Sequence, residues 1–373
     1  MRHLSEQQLK DIVAKYVVGE KIATTSLTIT RDNALGLVDT IGKIFMIDGD
    51  FVDDMPELDG EFLSYGKTIE EYFIDLIPPM DKPDLDSEKY AEALKYYAPA
   101  NMPTSYSTTL KPKVLATSVP FNDINRAVHN EEQLVNAVTK ITKKLSDSET
   151  SMIWNIKFQL LGEACKKCIE AMSTTKTFAV ATAYALGTYL KDSDSDARGI
   201  IVKDYKANNA TSWADAVTKG YIQVLDLVTT IAKPVDTETG EAFIIQLKKD
   251  AKKAKRVSSG YSLNGNNIGA TSTMKLYILE DLTAYLDVKV EAGAFHQDKV
   301  LAPVGVKEVR DFGDADSKIF AILVDTRGVK LHRTYLATYD NTNGLLGFIN
   351  YFRHCEYTAF LSRNTFMKVY KEA

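Results

Sequence analysis

The sequence predicts an α+β protein, and three observations carry that prediction. Eight of the ten prolines (Pro56, Pro78, Pro79, Pro83, Pro99, Pro103, Pro112 and Pro120) fall within residues 56–120, in a stretch rich in aromatic side chains. A long helical pattern follows and ends near Met172. Strand patterns then gather toward the C-terminus, from Met274 onward. With 373 residues, the chain is long enough for about two or three domains. Apolar residues make up 45% and charged residues 25%, as in ordinary folded proteins. Forty-five Lys+Arg against 50 Asp+Glu leave a net charge of −5, which excludes nucleic-acid binding driven by overall charge. Three cysteines are too few for a disulfide scaffold or a Cys-rich zinc site. The opening segment has an amphipathic pattern rather than that of a signal peptide. The most apolar run, Phe178–Leu190, is interrupted by Thr182, Gly187 and Thr188 and falls short of a membrane span. The expectation is synthesis in a reducing compartment, with free thiols.

Residues 4–18 place Leu9, Ile12, Val13, Tyr16 and Val17 on one helical face. Thr24–Thr30 reads as extended, and Asp32–Ile41 as a short helix closed by Gly42. One weak apolar stripe cannot form a core, so this arm must pack on something else. The proline-rich stretch can be neither continuous helix nor central sheet, because proline lacks the N–H donor and fixes φ. Long loops of this kind are usually functional. The reading is an extended arm that buries its aromatic groups against a neighbour; the alternative is a proline-rich subdomain folded on its own chain.

From Asn130 the pattern is helical, with Leu134, Val138, Ile141 and Leu145 on one face. Ser146-x-x-Glu149 reads as a capping box that restarts a helix to Met172, with Ile153, Ile156, Leu160, Ala164 and Cys168 aligned and Lys157, Lys166 and Lys167 on the other face. About 23 residues give a rod of about 35 Å. Residues 175–325 read as a compact α/β region. Helices are expected at Phe178–Leu190, Trp213–Ile231 and Ile245–Arg256, and strands at Met274–Leu279, Val304–Val309 and Ile319–Val324. Antiparallel strands should close the chain: Val329–Thr338, a turn at Asn341–Gly344, then the aromatic stretch Phe348–Tyr370.

Linear catalytic and metal motifs are weak or incomplete. His3, His129, His296, His332 and His354 are scattered, with no HExxH frame. Cys165-Lys-Lys-Cys168 lies late in a helix with no second pair, so these read as structural thiols. Gly260-Tyr-Ser-Leu-Asn-Gly265 has phosphate-loop glycine spacing, but Asn266 and Asn267 stand where Lys and Ser/Thr are required; a flexible Gly/Asn loop is the simpler reading. Asp192-x-Asp194-x-Asp196 begins like an EF-hand, but Ala197 replaces the turn glycine and Lys203 the closing acid. Lys248, Lys249, Lys252, Lys253, Lys255 and Arg256 form a dense basic group. It reads either as a solvated face or as a contact for phosphate or an acidic partner.

Several strings resemble the major capsid proteins of small Bacillus-type podophages. They are Leu37-Val-Asp-Thr-Ile-Gly42, Gly66-Lys-Thr-Ile-Glu-Glu71, Glu280–Phe295 and Ile322-Leu-Val-Asp325 followed by Tyr339-Asp340. Their order is similar to that of the Hong Kong 97-type (Johnson) capsid fold. The resemblance implies an N-terminal arm (1–42), an E-loop (43–120), a P-domain (121–174 and 330–373, spine helix about 149–172) and an A-domain (175–329). It implies no catalysis, no cofactor and no metal. The implied role is the shell of a tailed double-stranded DNA phage head, built from pentamers and hexamers in the virion after synthesis in the host cytoplasm. Implied partners are other copies of the chain, a scaffolding protein, a portal, a head fibre or decoration protein, and packaged DNA. Phe62, Tyr65, Phe73, Ile74, Tyr96 and Tyr97 would make E-loop contacts between subunits. Lys157, Lys166 and Lys167 would face DNA, because the spine helix borders the inner surface in this fold. Gly42, Gly49, Gly60 and Gly66 would be hinges. One departure is that the best-known relative carries a further immunoglobulin-like domain, whereas this sequence stops at Ala373. Two other readings stand beside this one: an encapsulin-like compartment around an enzyme cargo, and a cytosolic α/β enzyme using the Gly260–Gly269 loop.

Overall fold

The computed structural model describes residues 51–64, 66–73, 104–107, 109–120, 131–269, 271–286, 304–313 and 318–372. The chain divides after Asp50, and all of these belong to the second unit, Phe51–Ala373. The helices and extended stretch expected within residues 1–42, and the hinges Gly42 and Gly49, lie outside the described residues.

A single helix, α1 (Glu131–Met172), runs for 42 residues, about 63 Å at 1.5 Å per residue. The expected restart at Ser146 does not occur. The Ser148 and Thr150 hydroxyls instead donate back to the Lys144 and Ser146 carbonyls, which lets polar residues sit inside a helix. Strand β10 (Ile319–Asp325) is buried along its whole length, as its unbroken apolar run requires. Ile319, Ile322 and Val324 face a core shared with Leu161, Ala164, Cys165 and Cys168 of α1. Phe320 and Leu323 face a second core with Phe243, Leu247 and Ala251 of α3 (Thr237–Ala254).

That strand is the centre of a five-stranded sheet of order β7-β13-β10-β8-β9, comprising β7 (Val228–Ile231), β8 (Met274–Leu279), β9 (Gly305–Val309) and β13 (Met367–Glu372). The three strands expected between residues 274 and 324 are therefore present. β13 pairs antiparallel with β10 and parallel with β7, because a bend at Arg363–Thr365 returns the chain to the sheet.

Two expected helices are corrected. Phe178–Leu190 is a series of turns leading into β4 (Tyr189–Lys191). Its aromatic residues fill a small core: Phe178 stands 5.3 Å from Tyr205 and 5.7 Å from Trp213, ring to ring. Trp213–Ile231 is helical only over α2 (Trp213–Thr218), after which Gly220, at φ 71°, takes the left-handed conformation that stops a helix. The β-branched residues beyond it form β6 (Ile222–Leu225) and β7. β4, β5 (Arg198–Ile201) and β6 make a three-stranded antiparallel sheet. The third expected helix is present as α3, which starts at Asp236 with a capping box to Thr239.

The Gly260–Gly265 segment is packed rather than flexible. Tyr261, Ser262 and Leu263 are buried, and the Asn264 and Asn266 amides both donate to Asn364 Oδ1, at 2.7 and 2.6 Å. At Gly260 a Cβ would overlap the Val224 carbonyl, so the glycine serves a close backbone approach. Cys165 and Cys168 are fully buried in the α1 core. Burial pushes the Cys168 thiol up to about 12, leaving it inert.

The last large element is a ribbon of β11 (Val329–Asn343) and β12 (Phe348–Leu361), with β3 (Lys113–Pro120) on its far side. It lies on α1 through Met152, Ile153, Ile156, Leu331, Cys355 and Tyr357. The turn falls at Gly344–Gly347, three residues later than expected, because Asn341, Thr342 and Asn343 still pair with Asn350, Ile349 and Phe348.

Where α1 passes residues 310–313, Gly162 has no room for a side chain: a Cβ there would overlap the Phe312 carbonyl oxygen. Alanine normally stabilises a helix interior by about 1 kcal/mol over glycine. Here Gly162→Ala should instead destabilise by about 1–3 kcal/mol, because the clash is with backbone that cannot rotate away. Denaturant unfolding of the unassembled subunit gives the sign; a stabilised variant would contradict the close approach.

Candidate assembly interface

The proline-rich excursion leaves and rejoins the molecule beside the ribbon. On the outgoing leg Met55 and Leu58 are buried against α1, with Pro56–Leu58 forming a 3-10 turn. The chain then runs along β11: Gly60 N–H donates to Leu331 O and Leu63 N–H to Arg333 O, both at 2.9 Å. Gly60, expected as a hinge, is packed so tightly on the His332 imidazole that a Cβ would overlap the ring. Strand β1 (Ile69–Tyr72) follows and pairs with β2 (Thr104–Ser107) of the returning leg. That leg joins the ribbon through Leu110 N–H to Tyr357 O, at 2.8 Å, before becoming β3. The Thr109 and Thr358 hydroxyls both donate to the Lys67 carbonyl at 2.8 Å, tying the two legs together at their base.

Two buried charged groups on α1 hold its neighbours, one the base of the excursion and one the ribbon. Lys157 is fully buried, and its Nζ donates to Met55 O at 2.7 Å and meets the carboxylates of Asp53 and Asp59, the latter at 2.8 Å. The sequence reading placed Lys157 on the DNA-facing side; its ammonium is consumed inside the molecule, so it is unavailable to DNA. Glu149 is also buried. Its carboxylate accepts from Arg333 at 2.7 Å, from Arg353 and from the Tyr357 hydroxyl, so α1, β11 and β12 meet at one side chain. Burial and then the Glu149 carboxylate push the Tyr357 hydroxyl far above its ordinary range. Glu149 is thus a clamp, not the capping residue its spacing suggests.

The other expected site residues separate. Phe62 is 56% exposed on the outgoing leg, and Phe73 is half-buried just after β1. Tyr65, Ile74, Tyr96 and Tyr97 lie outside the described residues. Lys166 is exposed and lines a cavity of about 360 Å³ between α1, Leu110 and Ala359. Lys167 is half-buried, 3.8 Å from Glu163.

The sequence reading missed the far end of the ribbon. Leu345 is 94% exposed and Leu346 66% exposed, with Tyr335 and Tyr339 exposed further along β11. Turn positions favour polar residues, glycine and proline. A Leu-Leu pair between Gly344 and Gly347 was the available signal. The long ribbon carries this apolar tip away from its own core; Phe62 and Tyr72 of the excursion are exposed as well.

Among the described residues no group of three or more His, Cys, Asp or Glu is placed to hold a metal. No described helix is long and apolar enough to cross a membrane.

Comparison with known proteins agrees with this architecture. A chain in the capsid structure of Staphylococcus phage Andhra superposes with a TM-score of 0.59 at 13% identity, covering 89% of this chain and 87% of that one. A chain in the structure of the head fiber and inner core protein gp22 of native bacteriophage P68 gives 0.52 at 14%, with 89% and 87% covered. One in the capsid structure of Cyanophage P-SCSP1u gives 0.51 at 8%, with 89% and 91% covered. At these identities the likeness is one of fold, the Hong Kong 97-type capsid fold. No curated protein matches the sequence significantly. The Phi29-like phage major capsid protein profile matches residues 16–369, and the chain belongs to that family.

Proposed function

We propose that copies of this major capsid protein associate as pentamers and hexamers and close into an icosahedral head around double-stranded DNA, with the excursion of residues 43–120 lying over a neighbouring subunit. The carrying observation is the apolar surface that the described fold leaves uncovered: Phe62 and Tyr72 on the excursion and Leu345 and Leu346 on the ribbon tip. Each such side chain contributes about 1.5–3 kcal/mol when covered. Repeated around a closed shell, modest contacts give reversible early assembly and a stable end state. The role is structural and its place is the virion. A scaffolding protein, a portal, a head fibre or decoration protein and packaged DNA complete the proposed set of partners. The family favours a phage head over an encapsulin-like compartment.

Electron microscopy of the purified chain, alone and co-expressed with its scaffolding protein, should show capsomers or shells. A strictly monomeric chain under both conditions would sink the proposal. The double variant L345D/L346D should retain the wild-type circular dichroism spectrum and unfolding midpoint, yet lose at least tenfold in shell yield. Unchanged yield would remove the ribbon tip from the assembly contacts.

A further inference from the structure

Helix α3 carries a cationic stripe that the packing of the subunit does not use. Its inward face, Phe243, Leu247, Ala251 and Ala254, packs on the five-stranded sheet. The outward side presents Lys248, Lys249 and Lys252 and continues past the helix end to Arg256. Lys253 is drawn back toward Asp226 at 3.7 Å and Asp250 at 3.6 Å. Among the described residues Lys248, Lys249, Lys252 and Arg256 have no such carboxylate. Asp250, the acidic residue within this run, is fully buried and accepts from the Tyr370 hydroxyl and the Gln246 amide.

Complementing the helix dipole accounts for part of this arrangement, since cations in the last turn contribute about 0.3–1 kcal/mol. It does not account for Lys248 and Lys249, which lie further back along α3. Like charges three and four residues apart, as in Lys249/Lys252 and Lys248/Lys252, cost about 0.2–0.5 kcal/mol per pair. The chain holds these charges together against their repulsion while carrying a net charge of −5 overall.

We infer that this stripe is a binding surface for the phosphate backbone of double-stranded DNA. The inference deepens the proposed function by naming the surface that meets the enclosed genome, in place of the buried Lys157. The stripe extends about 12 Å along the helix, matching about three to four phosphates of one strand at 3.4 Å of axis per charge. A convex helix face with separated cations suits a polyanion read without sequence preference. An acidic protein segment would need a continuous apolar seat, whereas the exposed Ile245 and Val257 lie at opposite ends of the stripe.

The test measures binding of the full-length, unassembled chain to a duplex of about 24 base pairs by fluorescence anisotropy, between about 50 and 200 mM salt. The variant K248Q/K249Q/K252Q/R256Q should bind at least tenfold more weakly at the low-salt end. The slope of log K against log salt should fall by about three, since each lost phosphate contact removes about 0.9. A control at exposed lysines away from α3, K111Q/K206Q, should leave both unchanged. Equal unfolding midpoints exclude misfolding as the cause. The inference is overturned if the wild-type chain shows no salt-dependent DNA binding, or if the quadruple variant keeps its affinity and slope. It is also overturned if that variant loses binding to polyglutamate alone, which would assign the stripe to an acidic protein. Shell formation is scored separately by microscopy: shells with an unchanged DNA slope refute only the stripe, whereas absence of shells refutes the assembly reading.

Discussion

Replacing Glu149 by leucine should cost the subunit about 3–5 kcal/mol, the range for removing one member of a buried charged network. The carboxylate accepts from Arg333, Arg353 and Tyr357 together, so its loss strands two guanidinium groups and a buried hydroxyl at once. Leucine fills much of the vacated volume, so the loss is electrostatic rather than a cavity effect. A second variant separates the two. In E149L/R333M/R353M every charge is gone, and apolar replacements of buried ionic networks are often neutral or better. Denaturant unfolding of unassembled subunits should place the single variant far below wild type and the triple variant well above the single. A triple variant no more stable than E149L would mean that packing, not stranded charge, sets the cost. The clamp also fixes the ribbon, so E149L should misplace Leu345 and Leu346 and lose shells even where the sheet core survives.

The fold was legible wherever one physical signal dominated. The all-apolar run of β10 and the patterned β8 announced themselves because a strand buried on both faces has no polar register to confuse it. The reading failed where local patterns competed with long-range partners. Phe178–Leu190 has helical spacing, but its aromatic groups find one another and Trp213 across turns. Ser146 and Glu149 have capping-box spacing, yet the helix began much earlier and Glu149 was claimed by arginines nearly two hundred residues away in sequence. The candidate interface left a weaker trace. An aromatic arm broken by prolines signals that burial must come from elsewhere, and on the subunit Phe62 is exposed. Nothing local marks the pairing of that arm's legs with the ribbon.

Lys157 was legible and was misread. It lies four, seven and eleven residues before Leu161, Ala164 and Cys168, which places it in the middle of the buried stripe of α1 rather than opposite it. A lysine there demands anionic and carbonyl partners, because an isolated buried ammonium is costly. Asp53, Asp59 and the Met55 carbonyl supply them. Lys157→Met keeps the stem and removes the ammonium. It takes one of two donors from the Met55 carbonyl, which keeps the Leu58 N–H at 3.1 Å, and brings two carboxylates together uncompensated, at an expected cost of about 2–3 kcal/mol. The damage should be local. Hydrogen exchange at Gly60 and Leu63, whose amides bond to β11, should accelerate by at least tenfold, while amides of β10 stay at wild-type protection. Lys157→Arg should not rescue, since a planar fork cannot reproduce the three-way contact of a compact ammonium. If the K157M variant leaves Gly60 and Leu63 protected, the outgoing leg is held by the burial of Met55 and Leu58 alone, and the lysine is a passenger. If exchange rises as expected while shells are lost, the excursion's base must be rigid for the arm beyond it to reach another subunit.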